Sequence, residues 1–377
     1  MHKKIGKTQQ NYNYGIEVLR IISMFMVVIL HVLGQGGILA NAPTDSPQYH
    51  VAWLLEILCY CAVNCYALIS GYVMIEANFK YRKYLLTWLQ VFTYSIGITL
   101  IFMLWNRQSI GLRFVVESFL PVLSRRWWYF TAYTGVFFLA PFLNAMIKNL
   151  DKKKMTILFV TLIALFSLIP TLVSRFWGDL FYTQSGYSML WLLILYILGA
   201  IYKRCEKDMV QRFNNLSQIA IVGWIVCILV TFTFHNGGMY LPDEFPGKQT
   251  IVNNIVNYIS PTMVGCALCM LVIFSRLRIA GEKWGKYIKG VSKLAFGVYL
   301  IHVHPLVWQH IMQGRFASFA TMPVWKMVLG IISVATIVFV LCLCIDAIRS
   351  KIFDVLNIRK KINKLGEIVS KRFYNLE

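Results

Sequence analysis

The sequence predicts an all-α fold, a polytopic transmembrane helix bundle of about ten helices with both termini in the cytoplasm. Of its 377 residues, 58% are hydrophobic and 14% are charged, whereas about a quarter of the residues in an ordinary soluble domain are charged. So many apolar side chains cannot all be buried in one soluble core, and a lipid bilayer is the solvent that suits them. We therefore expect one membrane-embedded unit rather than two or three soluble domains.

Apolar runs supply the second observation. A helix needs about 20 residues to cross the hydrocarbon core, within a range of ~17–25. Runs of roughly this kind lie at residues 16–38, 51–75, 84–105, 127–147, 155–174, 187–202, 217–235, 255–274, 291–312 and 324–346. The sixth run is short and the fourth is marginal, because it opens beside two arginines, so nine or eleven helices are alternatives to ten.

The distribution of basic residues supplies the third observation and predicts the topology. If ten helices alternate in direction and both termini are inside, 28 of the 37 Lys and Arg residues lie in inner segments and 8 in outer ones, with Arg20 inside the first helix. This bias is the one that the positive-inside rule describes. The net charge of +21 is then a topology signal, and we do not expect nucleic acid as a partner.

Two segments need separate treatment. The first run has a basic start, and residues 40–42 resemble a signal-peptidase site; three ionisable residues inside the run argue against a cleaved signal peptide. At the other end, we expect the transmembrane domain at 1–348 to be followed by a basic cytoplasmic amphipathic tail at 349–377. Apolar residues recur in this tail at helical spacing, which fits a helix on the inner membrane surface or a solvated helix.

Nine cysteines do not indicate a metal site or a disulfide. Eight of them lie inside apolar runs, and Cys205 lies in a basic loop. Cys266 and Cys269 have a C-x-x-C spacing, but no second pair and no His pair follows at zinc spacing. Small buried hydrophobic side chains explain them better, so we expect no metal.

Three ionisable residues in the first run are the strongest candidates for a functional site, because charges inside a membrane are costly. Glu17 and Arg20 are three residues apart and neighbour each other on one helical face, where they can also form a simple interfacial ion pair. His31 follows Arg20 by eleven residues, which places them roughly 20° apart around the helix axis and roughly 16 Å apart along it. An imidazole titrates near neutral pH and can act as a general base, although a buried His bonded to a neighbour is the structural alternative.

This helix resembles the opening helix of the membrane acyltransferase-3 family, in which an Arg is followed eleven positions later by a His, usually after an acidic residue three before the Arg. Three later segments resemble further motifs of the family, in the expected order. They are Asn64-Cys-Tyr-Ala-Leu-Ile-Ser70-Gly71-Tyr72, Arg126-Trp127-Trp128-Tyr129-Phe130 and Ser292-Lys-Leu-Ala-Phe-Gly-Val-Tyr299-Leu-Ile-His302. Cys65 and Tyr66 replace the usual aromatics, and Ala295 stands where the family often has Ser.

The resemblance implies an acyltransferase core, without a fused SGNH-type domain, that moves an acyl group from acetyl-CoA or another acyl-CoA to a hydroxyl. The implied acceptor is a sugar, a cell-surface polysaccharide, a glycolipid or a lipid-linked sugar. His31 would be the catalytic base, Arg20 would position the donor or the substrate, and Glu17 would belong to the same catalytic group. A multi-pass location in a bacterial plasma membrane is implied as well.

Further site residues follow from the same resemblance. Arg82 and Lys83 lie where relatives often carry an Arg-rich cytoplasmic stretch, and they are our candidates for binding the phosphates of coenzyme A. Only one Arg is present there, and topology alone also places basic residues in this segment. Ser70, Asn64 and Tyr299 are open alternatives for the donor that stabilises the oxyanion.

His302, Trp128 and Arg126 complete the candidate substrate-binding residues. His302 occupies the family position at the end of the late motif, and an interfacial His near the outer surface is the alternative. Arg126 and Trp128 either bind an anionic acceptor from outside or anchor the chain at the lipid headgroups, where Trp is common.

Two other functional classes stay open. A transporter or flippase for a glycan or lipid-linked sugar would also have many helices, but the sequence has no inverted repeat and few helices broken at matching positions. A sensor or partner-binding subunit would have little reason to keep ionisable residues such as Glu17, His31 and His302 in the membrane. We therefore expect an enzyme, an O-acetyltransferase.

Overall fold

The computed structural model describes residues 12–105, 110–242, 252 and 254–373. Within these ranges the chain consists of helices, turns and irregular connections and contains no strand, so the predicted all-α bundle is confirmed. The α-helices are α1 (Tyr14–Leu33), α2 (Ile38–Asn41), α3 (Pro47–Tyr60), α4 (Ala62–Met74), α5 (Tyr81–Trp105), α6 (Leu112–Ser118), α7 (Trp128–Lys148), α8 (Lys152–Ile163), α9 (Ile169–Trp177), α10 (Met189–Arg212), α11 (Leu216–Met239), α12 (Pro261–Arg276), α13 (Glu282–His302), α14 (Pro305–Val307), α15 (Val324–Val355) and α16 (Ile358–Phe373). Short π-helical and 3₁₀ turns lie at Ala164–Leu168, Gln184–Gly186, Trp308–Met312 and Ala317–Thr321.

The helices account for the apolar runs of the sequence. Seven segments of the described chain are long and apolar enough to cross a bilayer, and an eighth forms if α13 and Pro305–Met312 are one span bent by 61°. α3 and α4 together make one of these segments, and α8 continues into the first part of α9 to make another. The two remaining runs are α12, which is shorter than a full span, and α10, whose second half is strongly charged.

The carboxyl-terminal segment is helical as far as it is described. The sequence places the start of the tail at residue 349, which lies inside α15. After a turn at Leu356 and Asn357 the chain forms α16, which packs on α5. Residues 374–377 of the predicted tail lie outside the described residues.

The spans alternate in direction, and contacts between their connections define the two ends of the bundle. At the end where α1 begins, called the proximal end here, Asn13 Nδ2 donates to the Ser275 carbonyl over 2.7 Å. At the opposite, distal end, the Gly314 N–H donates to the Gln35 carbonyl over 2.9 Å. Residues early in α1 therefore face the proximal side, and residues late in α1 lie toward the distal side.

α1 lies at the centre of the bundle, where it contacts α3, α4, α12, α13 and α15. Asn13 caps the helix, because its side-chain oxygen accepts from the Gly15 N–H over 3.1 Å. Gly15 allows close packing on α12, since a Cβ at this position would lie 2.0 Å from the Phe274 carbonyl oxygen. The ionisable residues of α1 are therefore surrounded by other helices rather than by lipid alone.

α4 and α10 pack with their backbones almost in contact. A Cβ at Gly71 would lie 1.8 Å from the carbonyl oxygen of Tyr196, and a Cβ at Gly199 would lie 2.1 Å from that of Leu68. Small residues permit this close approach of helices in a membrane, where van der Waals packing replaces the hydrophobic driving force. The contact holds α4 in place beside α1.

A buried carboxylate joins α5, α13 and α15. Asp346 is fully buried and accepts hydrogen bonds from Gln90 Nε2 at 3.0 Å, Tyr94 Oη at 2.8 Å and Arg349 Nε at 2.9 Å. Gly297 of α13 lies directly against this carboxylate, leaving no room for a side chain. A buried charge with this many partners is satisfied, and it positions the part of α13 that precedes His302.

Candidate active site

A cleft that we call the basic cleft opens at the proximal end between α1, α4, α5 and α7. Its lining contains three cations, Arg20, Lys80 and Lys83, together with Ser70 and several aromatic side chains. Cations at the mouth of a cavity attract anionic groups. Of the two predicted coenzyme A ligands, Lys83 belongs to the lining of this cleft.

Arg82 lies on another surface. A Cβ at Gly366 of α16 would come within 2.9 Å of the Arg82 Cβ, and Arg82 is absent from the described lining of the basic cleft. Adjacent residues of one helix point about 100° apart. The first turn of α5 therefore directs Lys83 toward the cleft and Arg82 toward α16. Lys80, one of the basic residues of the inner segments, joins Lys83 in the lining instead.

A second cavity, which we call the histidine chamber, follows the basic cleft toward the distal end. Aromatic side chains dominate its wall. Its lining is Met24, Val27, Leu30, His31, Val63, Tyr66, Trp128, Tyr129, Tyr187, Tyr258, Phe296 and Tyr299. The chamber thus contains the predicted base and two of the predicted substrate-binding residues, Trp128 and Tyr299.

The two cavities occupy successive turns of the same helices. On α1 the lining passes from Arg20 in the cleft to Met24 and His31 in the chamber. On α7 it passes from Tyr133 in the cleft to Tyr129 in the chamber. One helical turn rises about 5.4 Å, so the chamber lies next to the cleft and deeper in the bundle, with tyrosine side chains at the boundary.

Tyr66 lies at this boundary on α4. Its hydroxyl donates to the Arg20 carbonyl over 2.9 Å, and its ring lines the histidine chamber. Ser70, one turn away, lines the basic cleft and donates to the Tyr66 carbonyl over 3.0 Å. The hydrogen bond between α1 and α4 therefore fixes the relative position of the two helix faces that line the cleft and the chamber.

Glu17 holds the Arg20 guanidinium. Its carboxylate forms an ion pair with Arg20 Nη1, accepts from Ser292 Oγ, and accepts from Tyr12 Oη at 2.5 Å. The predicted Glu17–Arg20 pair is present, and Glu17 is buried while the Arg20 side chain is 27% exposed. Glu17 does not belong to the lining of the two cavities described above, and it contacts Arg20, which does line the basic cleft.

His31 is paired with His302 across α1 and α13. His31 Nδ1 lies 2.9 Å from His302 Nε2, and His302 Nδ1 lies 2.5 Å from the Val298 carbonyl oxygen. A carbonyl oxygen can only accept, so His302 Nδ1 carries the proton. With one proton on each ring, His302 Nε2 accepts, His31 Nδ1 donates, and His31 Nε2 keeps the free lone pair. The backbone of α13 thereby sets the tautomer of a residue on α1.

The three predicted oxyanion donors have different surroundings. Asn64 Nδ2 donates to the Tyr258 carbonyl over 2.8 Å, and its oxygen accepts from Trp191 Nε1 at 3.1 Å, so both ends of the amide are bonded. Ser70 lies in the basic cleft. Tyr299 lines the histidine chamber, and its buried hydroxyl donates to no described group.

A family model described as an acyltransferase domain matches residues 13–345 of the chain. The chain belongs to the acyltransferase-3 family. It is therefore a membrane acyltransferase, and the matched range contains both cavities and the His31–His302 pair. No curated protein and no solved structure matches the chain.

In this acyltransferase, Arg126 and Trp128 lie in different surroundings although they are two residues apart. Trp128 lines the histidine chamber, with its ring centroid 4.7 Å from that of Tyr187. Arg126 Nη2 donates to the Phe114 carbonyl over 3.0 Å, and Nη1 lies 3.2 Å from His304 Nε2. Arg126 thus joins α6 to the turn between α13 and α14.

Sequence reasoning missed several residues that line the acyltransferase cavities. Tyr187 and Tyr258 enter the chamber from the connections just before α10 and α12, although the apolar runs of the sequence place both residues at the start of a span. The described residues hold no group of three or more His, Cys, Asp or Glu that is placed to bind a metal ion. The candidate site therefore consists of cations, imidazoles and hydroxyls.

Proposed function

We propose that this acyltransferase moves a small acyl group, acetyl in the first instance, from acyl-CoA to a hydroxyl of a sugar, cell-surface polysaccharide or glycolipid. The main support is the order of groups along one face of α1. Arg20 lies in a cleft open at the proximal end, and His31 lies in an aromatic chamber roughly 16 Å further along the helix. This arrangement suits a long donor whose charged and reactive ends are far apart.

The donor enters from the proximal end in this proposal, and that end is cytoplasmic. The excess of Lys and Arg in the segments assigned to the inside supports this orientation by the positive-inside rule. Arg20, Lys80 and Lys83 bind the phosphates of coenzyme A, for which Arg and Lys are the natural partners. The pantetheine arm then passes the tyrosine boundary, and the thioester reaches the histidine chamber.

The acyl transfer uses His31 as the general base. His31 Nε2 takes the proton of the acceptor hydroxyl while the hydroxyl oxygen attacks the thioester carbonyl. The resulting oxyanion accepts a hydrogen bond from Tyr299 Oη. When the tetrahedral intermediate collapses, the carbon–sulfur bond breaks, and the leaving thiolate takes the proton from His31 to depart as free coenzyme A.

The acceptor reaches the chamber from the distal side, which this topology places outside the cell. Aromatic rings at that side, among them Trp128 and Tyr187, offer faces against which sugar rings pack. A bacterial plasma membrane, with its surface polysaccharides assembled on the outer side, is the setting that fits this orientation.

Release of free thiol from acetyl-CoA tests the proposal. Purified protein in lipid nanodiscs is supplied with acetyl-CoA and a panel of mono- and oligosaccharide acceptors. We expect acceptor-dependent thiol release and a loss of about 10²-fold or more in kcat for His31→Ala, since general base catalysis contributes ~10²–10⁴-fold. His50→Ala is the matched control, because His50 pairs with Asn236 at the distal end and lies outside the described chamber lining.

Thermal unfolding curves establish that the His31→Ala protein is folded. A folded variant with the wild-type rate of thiol release would overturn the role of His31. Glycan movement across a sealed vesicle membrane without thiol release would instead assign the chain to the transporter class.

A further inference from the structure

A polar pocket, separate from the two cavities above, lies at the distal end between the α9–α10 connection and the segment that precedes α12. Its lining includes Thr171, Asp179, Thr183, Ser185, Asn254 and Asn257. Hydroxyl, amide and carboxylate groups thus predominate in its wall, in contrast with the aromatic wall of the histidine chamber. This composition suits a ligand that is itself rich in hydroxyl groups.

The polar pocket and the histidine chamber share a wall. Ser185 lines the pocket and Tyr187 the chamber, and in the facing segment Asn257 lines the pocket and Tyr258 the chamber. Gly186 permits the two segments to touch, because a Cβ there would lie 2.4 Å from the Tyr258 Cβ. The two cavities are therefore neighbours on either side of this wall.

The pocket wall is held in one conformation by Asp179. Its Oδ1 accepts from the N–H and the hydroxyl of Thr183 at 2.9 and 3.0 Å, and its Oδ2 accepts from the Gln184 N–H at 2.5 Å. Gln184 and Ser185 have positive φ values of 52° and 55°, which are unfavourable for residues with a side chain. The carboxylate offsets this strain, so the polar groups of the connection are preorganised.

One hydroxyl in the pocket wall lacks a partner. Thr171 Oγ1 is buried and makes no hydrogen bond to any described group, and Thr171 belongs to the pocket lining. The π-helical turn Ala164–Leu168 lies just before Thr171. In this turn, Ser167 Oγ donates to the Ile259 carbonyl of the facing segment over 2.5 Å. Buried polar atoms without partners are rare and costly, so the pocket wall retains an unused hydrogen-bonding group.

We propose that the polar pocket binds the second sugar unit of a glycan acceptor while the first unit presents its hydroxyl to His31. This inference rests on the proposed function and adds to it the length and class of the acceptor: an oligosaccharide or polysaccharide segment of at least two units. The aromatic rings of the chamber pack on the face of the first sugar, and the hydroxyl and amide groups of the pocket bond to the second. A free monosaccharide fills only the chamber and binds more weakly.

Direct binding and turnover test this assignment with a series of neutral and amino-sugar oligosaccharides of one, two and three units. Binding to purified protein in nanodiscs is measured by calorimetry without acetyl-CoA, and KM is measured in the thiol-release assay. For the acceptor class that the protein binds, we expect the affinity to rise about tenfold from one unit to two. Each hydroxyl removed from the pocket by Thr171→Val or Ser185→Ala should weaken two-unit binding about threefold to tenfold, with one-unit binding and the KM for acetyl-CoA unchanged.

Thr336→Val, an exposed position on α15, is the matched control and should change none of these values. Equal affinity for one and two units across the whole series, or unchanged two-unit binding in the Thr171→Val/Ser185→Ala protein, would overturn the inference. Because binding is measured without an acyl donor, the pocket assignment and the acyl-transfer reaction can be refuted independently. Thiol release without a two-unit preference removes only the pocket assignment, whereas a pocket-dependent two-unit preference without thiol release removes only the acyltransfer reaction.

Discussion

His31 Nδ1 lies 2.9 Å from His302 Nε2, and this contact joins the first helix of the bundle to the ninth apolar run of the chain. His302 Nδ1 donates to the Val298 carbonyl. This backbone acceptor therefore sets the direction of the hydrogen bond between His302 and His31. In the proposed reaction, His302 would act through His31, as a positioning residue that orients the catalytic imidazole in the way that a carboxylate does in other enzymes.

Two substitutions at His302 test whether this residue sets the tautomer of His31. In His302→Ala, the His31 Nδ1 proton loses its acceptor, and part of the population adopts the tautomer with a protonated Nε2. We expect kcat to fall about 10- to 100-fold, with the KM for acetyl-CoA unchanged. A Gln at this position can accept from His31 and donate to the Val298 carbonyl, so His302→Gln should recover much of the rate; equal losses in both variants would contradict a role in setting the tautomer.

Tyr299 provides the next prediction. Tyr299→Phe removes a buried hydroxyl that donates to no described group, so the unfolding temperature should change little. Loss of an oxyanion donor typically costs ~10²–10³-fold in kcat, and we expect a decrease of at least tenfold. Tyr287→Phe, on the exposed face of α13, is the control; a Tyr299→Phe enzyme with full kcat would show that another group stabilises the oxyanion.

The neighbours Lys83 and Arg82 form a matched pair for the donor site. Lys83 lines the basic cleft, whereas Arg82 lies against Gly366. Lys83→Ala should raise the KM for acetyl-CoA about threefold to tenfold and make it less sensitive to salt, and Arg82→Ala should leave it unchanged. With acetyl-pantetheine, which lacks the nucleotide phosphates, neither variant should differ from wild type; a Lys83 effect that persists with this donor would place the contact elsewhere.

The packing of α4 on α10 is tested by glycine substitutions. Gly71→Ala places a Cβ against the Tyr196 carbonyl oxygen, and overpacking against backbone should lower the free energy of unfolding by about 3 kcal/mol. Gly97→Ala on α5 adds a Cβ with no described neighbour within 4 Å and should raise it by up to ~1 kcal/mol. Thermal and denaturant unfolding in detergent measures both, and a Gly71→Ala protein as stable as wild type would show that the two helices can separate at little cost.

The class of the protein, the approximate positions of its spans and the helix that carries Glu17, Arg20 and His31 could all be predicted from the amino-acid sequence. Apolar length and charge distribution are local properties, since a helix satisfies its backbone within one segment wherever it crosses a bilayer. The spacing of Glu17, Arg20 and His31 is likewise a property of one helix, so their placement on one face could be predicted from helical geometry alone.

The contacts of each of these residues depend on how the helices pack. The rotation of α5 against α16 turns Lys83 rather than Arg82 toward the cleft, and no local pattern encodes that choice. The pairing of His31 with His302, the bonding of both ends of the Asn64 amide and the entry of Tyr187 and Tyr258 into the chamber all join segments far apart in sequence. Such contacts depend on how whole helices pack, and for that reason the sequence could indicate the candidate site, whereas the partners of its residues could be assigned only in three dimensions.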